Sequence, residues 1–166
     1  MNWEAIGAVG ELLGAAAVFL SLLYLAVQIK ANTKSSETAS RQNVAIEFRD
    51  WTRSFLTGDP EHFSLGLSDY PDMPFRARSD FCHHMHDLVL FYQSTQAMHE
   101  AGALPDESHE PYRTWVAAVL STPGGGNFWS EWKATYNIGM TTTLQQRMAE
   151  GELPNVLEFP QYQLER

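Results

Sequence analysis

Charged residues are absent from Leu12 to Ile29, a run of 18 residues, and from Ala5 onward only Glu11 interrupts the apolar stretch. At about 1.5 Å rise per helical residue such a run covers roughly 27 Å, close to the hydrocarbon thickness of a bilayer. The pattern predicts a membrane-spanning helix. Met1-Asn2-Trp3-Glu4 lacks the basic start of a signal peptide, and Tyr24-Leu25-Ala26-Val27-Gln28-Ile29 leads directly into Lys30, so the expectation is an uncleaved anchor. The competing reading is a buried core helix of a soluble protein.

Within that run Gly7, Gly10, Gly14, Ala17, Ser21, Tyr24 and Gln28 follow an unbroken 3-4 spacing, which keeps them on one face of a helix. Leu13, Phe19, Leu20, Leu22 and Leu23 lie elsewhere. Close approach of backbones across small residues is what lets apolar helices associate in lipid, where no hydrophobic force pulls them together. The face is therefore a candidate helix–helix interface, with Gly10 and Gly14 as a GxxxG pair. Glu11 flanks it, about 40° from Gly7 and 60° from Gly14 at 100° per residue. If hydrocarbon begins at Ala5, this carboxylate lies about 9 Å deep, where an unpaired charge costs several kcal/mol and calls for a proton or a donor on a neighbouring helix. If it begins at Leu12, Glu11 sits at the outer interface.

The spacing continues through Ala31, Ser35, Thr38, Gln42 and Ala45, and no Pro or Gly intervenes before Gly58. One helix leaving the bilayer and running to about residue 55 is expected, with a second stripe, Val44, Phe48, Trp51 and Phe55, docking onto the remainder. Asp59 as N-cap with Pro60 in the first turn predicts a short helix to about Leu67. Residues 68–74 read as a loop. Phe81, Met85, Leu88 and Tyr92 at helical spacing predict a helix from Phe75 to Ala101, ended by Gly102. Residues 103–110 read as an acidic connection, Tyr112 to Leu120 as a helix, and Ser121-Thr122-Pro123-Gly124-Gly125-Gly126 as a break. Helices Phe128–Asn137, capped by Asn127, and Thr141–Glu150 follow. The expected organisation is a transmembrane anchor over 1–30, a continuing helix over 31–57, a helical body over 58–151 and an extended tail over 152–166. No segment alternates with period two, so the fold class is all-α: a long N-terminal transmembrane helix continuing into a small cytoplasmic bundle.

Charge sets the orientation. Residues 1–29 carry −2, residues 30–41 carry +2 through Lys30, Lys34 and Arg41, and residues 42–166 carry −9. Basic residues on the C-terminal flank place the N-terminus outside and the body in the cytoplasm. An acidic body is repelled by phosphate backbones, so nucleic acid is not an expected partner. A single cysteine, Cys82, forms no internal disulfide and fits a reducing compartment.

For chemistry, Cys82-His83-His84-Met85-His86-Asp87 is the richest stretch. His83 and His86 share a helical face, Asp80 lies one turn below His84, and two ligands at such spacing can begin a zinc or copper site. Four ligands on one short helical stretch nevertheless point in different directions, and neither HExxH nor CxxC is present. His62, His99 and His109 contribute only if the fold brings them in. Pro123-Gly124-Gly125-Gly126 has no following Lys-Ser or Lys-Thr and no preceding strand, so it is not a phosphate loop. Trp115, Phe128, Trp129, Trp132 and Tyr136 read as core. There is no nucleophile turn.

The N-terminal segment MNWEAIGAVGELLGAAAVFLSLLYLAVQI with Asn32-Thr33, then Gly58-Asp59-Pro60-Glu61, Ala101-Gly102-Ala103-Leu104-Pro105-Asp106-Glu107, and Pro123-Gly124-Gly125 before the Trp129 helix resemble a bacterial family of short single-span membrane proteins of unknown function. The resemblance covers most of residues 1 to about 140 and is most specific at the N-terminus. It implies an anchored helical protein and carries no activity, substrate, cofactor or catalytic residue. The histidine cluster and the proline-containing tail are not part of it.

The expectation is thus a non-enzymatic, single-span inner-membrane protein with no cofactor or metal. Its partners are the bilayer and other transmembrane helices, either copies of itself or a larger membrane complex, respiratory or photosynthetic for example, in which it is an accessory subunit. Gly7, Gly10, Glu11, Gly14, Ala17, Ser21, Tyr24 and Gln28 are the candidate contact residues. The alternatives are a membrane-tethered metal-binding or sensory protein using His83, His84 and His86, and a pore-forming homo-oligomer lined by Glu11.

Overall fold

The computed structural model describes residues 2–54 and 59–159. Over these residues the protein is all-α, without a strand: α1 (Trp3–Ser54), α2 (Pro60–Asp69), α3 (Phe75–Glu100), α4 (Asp106–Leu120), α5 (Pro123–Trp132) and α6 (Ile138–Glu150), with 3₁₀ turns at Tyr70–Asp72, Lys133–Thr135 and Val156–Glu158. The chain divides into two units, Met1–Ala39 and Ser40–Arg166.

From Trp3 onward the first unit is helix. It lies within the one helix among the described residues that is long and apolar enough to cross a membrane, and no part of the apolar window is buried inside the chain. The hydroxyls of Ser21 and Thr33 donate to the carbonyls of Ala17 and Ile29, 2.8 and 3.0 Å away, so these polar side chains are satisfied within their own helix.

In the second unit the last turns of α1 pack through the stripe read from spacing. Val44 and Trp51 are buried, and the Phe48 ring lies 5.5 Å from Phe91 and 5.4 Å from Tyr112. Trp51 Nε1–H donates to the carbonyl of His84 at 2.9 Å, fastening this segment to α3. Phe55, the fourth residue of the stripe, falls outside the described residues. Asp59 caps α2 as its position predicts: its Oδ1 accepts the amide of Glu61 at 3.0 Å. Along α3, Phe81, Met85, Leu88 and Tyr92 are all fully buried and form the centre of the core. Gly102, with φ +71°, turns the chain out of α3, and the amides of Ala103 and Leu104 both return to the carbonyl of Met98.

Several segments differ from their sequence-based expectation. Residues 68–74, read as a loop, contain the end of α2 and the Tyr70–Asp72 turn, where Tyr70 is buried. Residues 106–110, read as a connection, form the first turns of α4, and Pro111 is accommodated inside the helix. Pro105 precedes the helix, and Asp106 and Glu107 place negative charge in its first turn, where the macrodipole favours it. The Pro-Gly-Gly-Gly stretch is the start of α5 rather than a break. Thr122, not Asn127, is its N-cap, accepting the amide of Gly125 at 3.1 Å. Packing requires two of the three glycines: a Cβ on Gly124 would lie 1.6 Å from the carbonyl oxygen of Gly66 in α2, and one on Gly125 would lie 2.1 Å from the carbonyl oxygen of Val119. That helix ends at Trp132, and Asn137 caps α6 instead. The tail read as extended includes the Val156–Glu158 turn, with Val156 buried and the Phe159 ring stacked on Trp115 at 5.6 Å. Residues 160–166 lie outside the described residues.

Candidate functional site

The candidate interface on α1 is fully exposed: Gly7, Gly10, Glu11, Gly14, Ala17, Ser21, Tyr24 and Gln28 are all solvent-facing. A Cβ built at Gly7, Gly10 or Gly14 would meet nothing within 4 Å. These glycines are not required by packing inside the chain, in contrast to Gly66 and Gly124.

The histidines of α3 diverge. His83 Nδ1–H donates to the carbonyl of Ser79 at 2.8 Å and the ring is exposed. His84 turns toward α1 and α2, with Nδ1 3.2 Å from Ser54 Oγ and its ring edge-on to Phe63. His86 turns the other way, into a box made by Phe128, Trp132 and Tyr136, and is hydrogen-bonded to the Tyr136 hydroxyl. Burial is the main reason that both His84 and His86 are held below the ordinary imidazole range. Cys82 faces the Tyr70 hydroxyl at 3.7 Å, and that hydroxyl donates to Glu131 at 2.7 Å. Burial pushes the thiol up, away from the reactive thiolate. Among the described residues no three His, Cys, Asp or Glu side chains are placed to hold a metal ion.

One pairing was illegible in the sequence. Asp80 binds His62, 18 positions away, whose Nδ1–H donates to Oδ2 at 2.8 Å while Nε2 lies 3.6 Å from Asp59 Oδ2. The pair lines an open cleft of about 740 Å³ with Ser54, Arg76, His83 and His84. A carboxylate at Nδ1 fixes the tautomer and aims Nε2, as a proton-transfer site requires. Here, however, Nε2 faces a second carboxylate. The trio is a polar contact of one imidazole with two carboxylates, which ties Asp80 of α3 to α2 and its cap.

A second hidden pair joins α3 to α4. The His99 and His109 rings stack 4.4 Å apart and 5° from parallel, with His99 Nδ1–H donating to the carbonyl of Leu104 at 2.9 Å. His109 is 4% exposed, and among the described residues its buried Nε2 has no hydrogen-bond partner. Burial, with His99 beside it, lowers its pKa to about 4. Farther along α4, Arg113 and Arg147 clamp Glu110 and Glu150 at 3.1–3.8 Å, tying α4 to α6. The aromatic group read as core is divided: Phe128 and Trp129 are buried, Trp115 and Tyr136 half-buried, and Trp132 is 37% exposed as a wall of the His86 box.

Comparison with known proteins finds no matching family model, no matching curated protein and no matching solved structure.

Proposed function

We propose that this is a single-span anchored protein of the bacterial inner membrane, its N-terminus outside and its helical body in the cytoplasm, which acts through protein–protein contacts as a homo-oligomer or as an accessory subunit of a membrane complex. The observation that carries the reading is the small-residue face of α1 set among large apolar side chains that the chain leaves uncovered. Fourteen large apolar residues between Trp3 and Ile29 are at least 49% exposed. Burying such a side chain is worth roughly 1.5–3 kcal/mol, so leaving them all in water would forfeit roughly 20–40 kcal/mol, more than the whole stability of an ordinary domain. Lipid supplies the cover for the bulky faces. The face of Gly7, Gly10, Gly14, Ala17 and Ser21 offers too little side chain to gain from lipid and is shaped for another backbone.

Lys30, Lys34 and Arg41 support the orientation, and the resemblance of the N-terminal segment to single-span bacterial proteins supports the anchor. The test is fractionation of cells expressing the full chain with a reporter after Arg166, followed by mild-detergent purification. Membrane retention, cytoplasmic reporter activity and an assembly larger than one chain are expected. Recovery in the soluble fraction overturns the anchor, a reporter active only outside overturns the orientation, and a lone monomer overturns the interaction role.

A further inference from the structure

Beside the last turns of α1 lies a groove of about 460 Å³ between this helix and α3, lined by Trp51, Leu90 and Phe91 and by three exposed carboxylates, Glu47, Asp50 and Asp87. On the same stretch of α1 stand two exposed arginines, Arg49 and Arg53, and between the two sets an exposed isoleucine, Ile46, at 45%. At about 100° per residue, Asp50 and Glu47 lie about 40° and 100° to one side of Ile46, and Arg53 and Arg49 about 20° and 60° to the other. The helix thus presents an apolar residue flanked by an acidic edge and a basic edge. Among the described residues these edges are joined within one chain by Arg49 Nε to Asp50 Oδ1, long at 3.7 Å and solvent-exposed, a class of contact that contributes little.

We infer that this surface binds a second copy of the chain, with Arg49 and Arg53 of each copy set against Glu47, Asp50 and Asp87 of the other. Two-fold symmetry makes the assignment specific. Rotation about an axis parallel to the helix brings the acidic edge of one copy against the basic edge of the other, whereas an antiparallel pairing sets like charge against like. Two copies inserted the same way into one bilayer present the same chain direction, so the arrangement that the charges favour is the one that anchoring enforces. This step rests on α1 being the membrane anchor. In an aligned parallel pair Asp50 is offset about 4.5 Å along the axis from Arg53 of the second copy, and Glu47 about 3 Å from Arg49 of the second copy, well within the reach of an arginine. Ile46, at 45% exposure, supplies apolar contact. In this scheme the charged edges select partner and direction, as flanking charges do in parallel coiled coils.

The test uses the full-length protein in bilayers, with its dimer fraction measured against protein-to-lipid ratio. Glu47→Lys with Asp50→Lys, or Arg49→Glu with Arg53→Glu, should raise the ratio needed for half-dimerisation about tenfold. All four changes in one chain should restore it. In a Cys82→Ser background treated with diamide as the two-electron oxidant, Ile46→Cys should form a disulfide between copies, and Phe75→Cys, 82% exposed in the parent but outside the groove lining, should not. Unaltered melting by circular dichroism confirms that the variants fold. Failure of the fourfold variant to restore pairing overturns the inference, as does charge reversal without effect. If in that case Gly10→Ile and Gly14→Ile still dissociate the protein, association through the membrane face stands without the groove. A wild-type chain that is monomeric at every ratio overturns this inference and the homo-oligomer reading together, leaving a complex with other proteins.

Discussion

Gly66 and Gly124 meet backbone to backbone where α2 crosses α5, so closely that a methyl group on Gly124 would sit 1.6 Å from Gly66 O. No rotamer change relieves that overlap, because the obstructing atom is main chain. Gly124→Ala should force the two helices apart and cost about 3 kcal/mol, the upper part of the usual range for overpacking. Gly66→Ala, which would meet the Phe81 ring, should be comparably harmful. Denaturant unfolding of both variants in detergent checks this, with Gly139→Ala as the mild control, since its new methyl would meet only the Asn137 side chain at 3.2 Å.

Acid should loosen the body through His109. Its pKa lies at about 4 in the folded protein against an ordinary 6.5, first because of burial and then because of His99. Between those values the unfolded chain binds a proton that the folded chain refuses, so the stability present above pH 6.5 drains away as pH falls toward 4. The shift corresponds to about 3 kcal/mol. His84 and His86, also lowered by burial, act in the same direction. The groups facing His109 are Tyr92 and His99 from α3 and Asp106, Glu110 and Arg113 from α4. Melting curves from pH 7 to 4 should show a steep loss for the parent and a shallower one for His109→Gln.

Arg147 is the hinge pin of the α4–α6 contact. It is 13% exposed at the side chain and reaches Glu110, Thr114, Glu150 and the carbonyl of Gly151. Arg147→Ala leaves both carboxylates partly exposed and still paired with Arg113 but removes the bridge to Thr114 and Gly151, and should cost about 1 kcal/mol, with Arg147→Lys recovering only part because a point charge lacks the planar fork. Chemical denaturation at low and high salt measures both.

On α1, substitution should read out by face. Gly10→Ile and Gly14→Ile should weaken membrane association about tenfold or more, while Leu13→Ile and Leu20→Ile, off the small-residue face, should leave it unchanged. A two-reporter association assay in the inner membrane makes the comparison. Glu11→Gln and Glu11→Leu should disturb assembly if the carboxylate is partnered within the bilayer and change little if it lies at the interface. Ion flux into liposomes that is abolished by Glu11→Gln would instead favour a pore.

The histidine stretch shows why proximity in sequence is poor evidence for a site. His83, His84 and His86 are neighbours on α3, yet a helix rotates successive side chains by about 100°, so each meets a different surface: solvent, the end of α1 and the aromatic box of α5. The pairs that do form, His62 with Asp80 and His99 with His109, join residues 18 and 10 positions apart. No local pattern marks them. They exist because α2 packs on α3 and α4 on α3.

What the chain reveals by itself is whatever depends on local periodicity and composition: the uncovered apolar helix, its small-residue face, the caps at Asp59 and Gly102 and the buried stripe of α3. Those features follow from bond geometry and from the cost of exposing apolar surface, which act over a few residues. Packing decided the rest. The glycines at 124–126 open a helix instead of ending one because the Thr122 cap and the close backbone approach of Gly124 to α2 outweigh their poor helix propensity. Glu47, Asp50 and Asp87 share a groove only because α3 lies beside the last turns of α1, a proximity fastened by the aromatic contact of Phe48 with Phe91 and the hydrogen bond of Trp51 to His84.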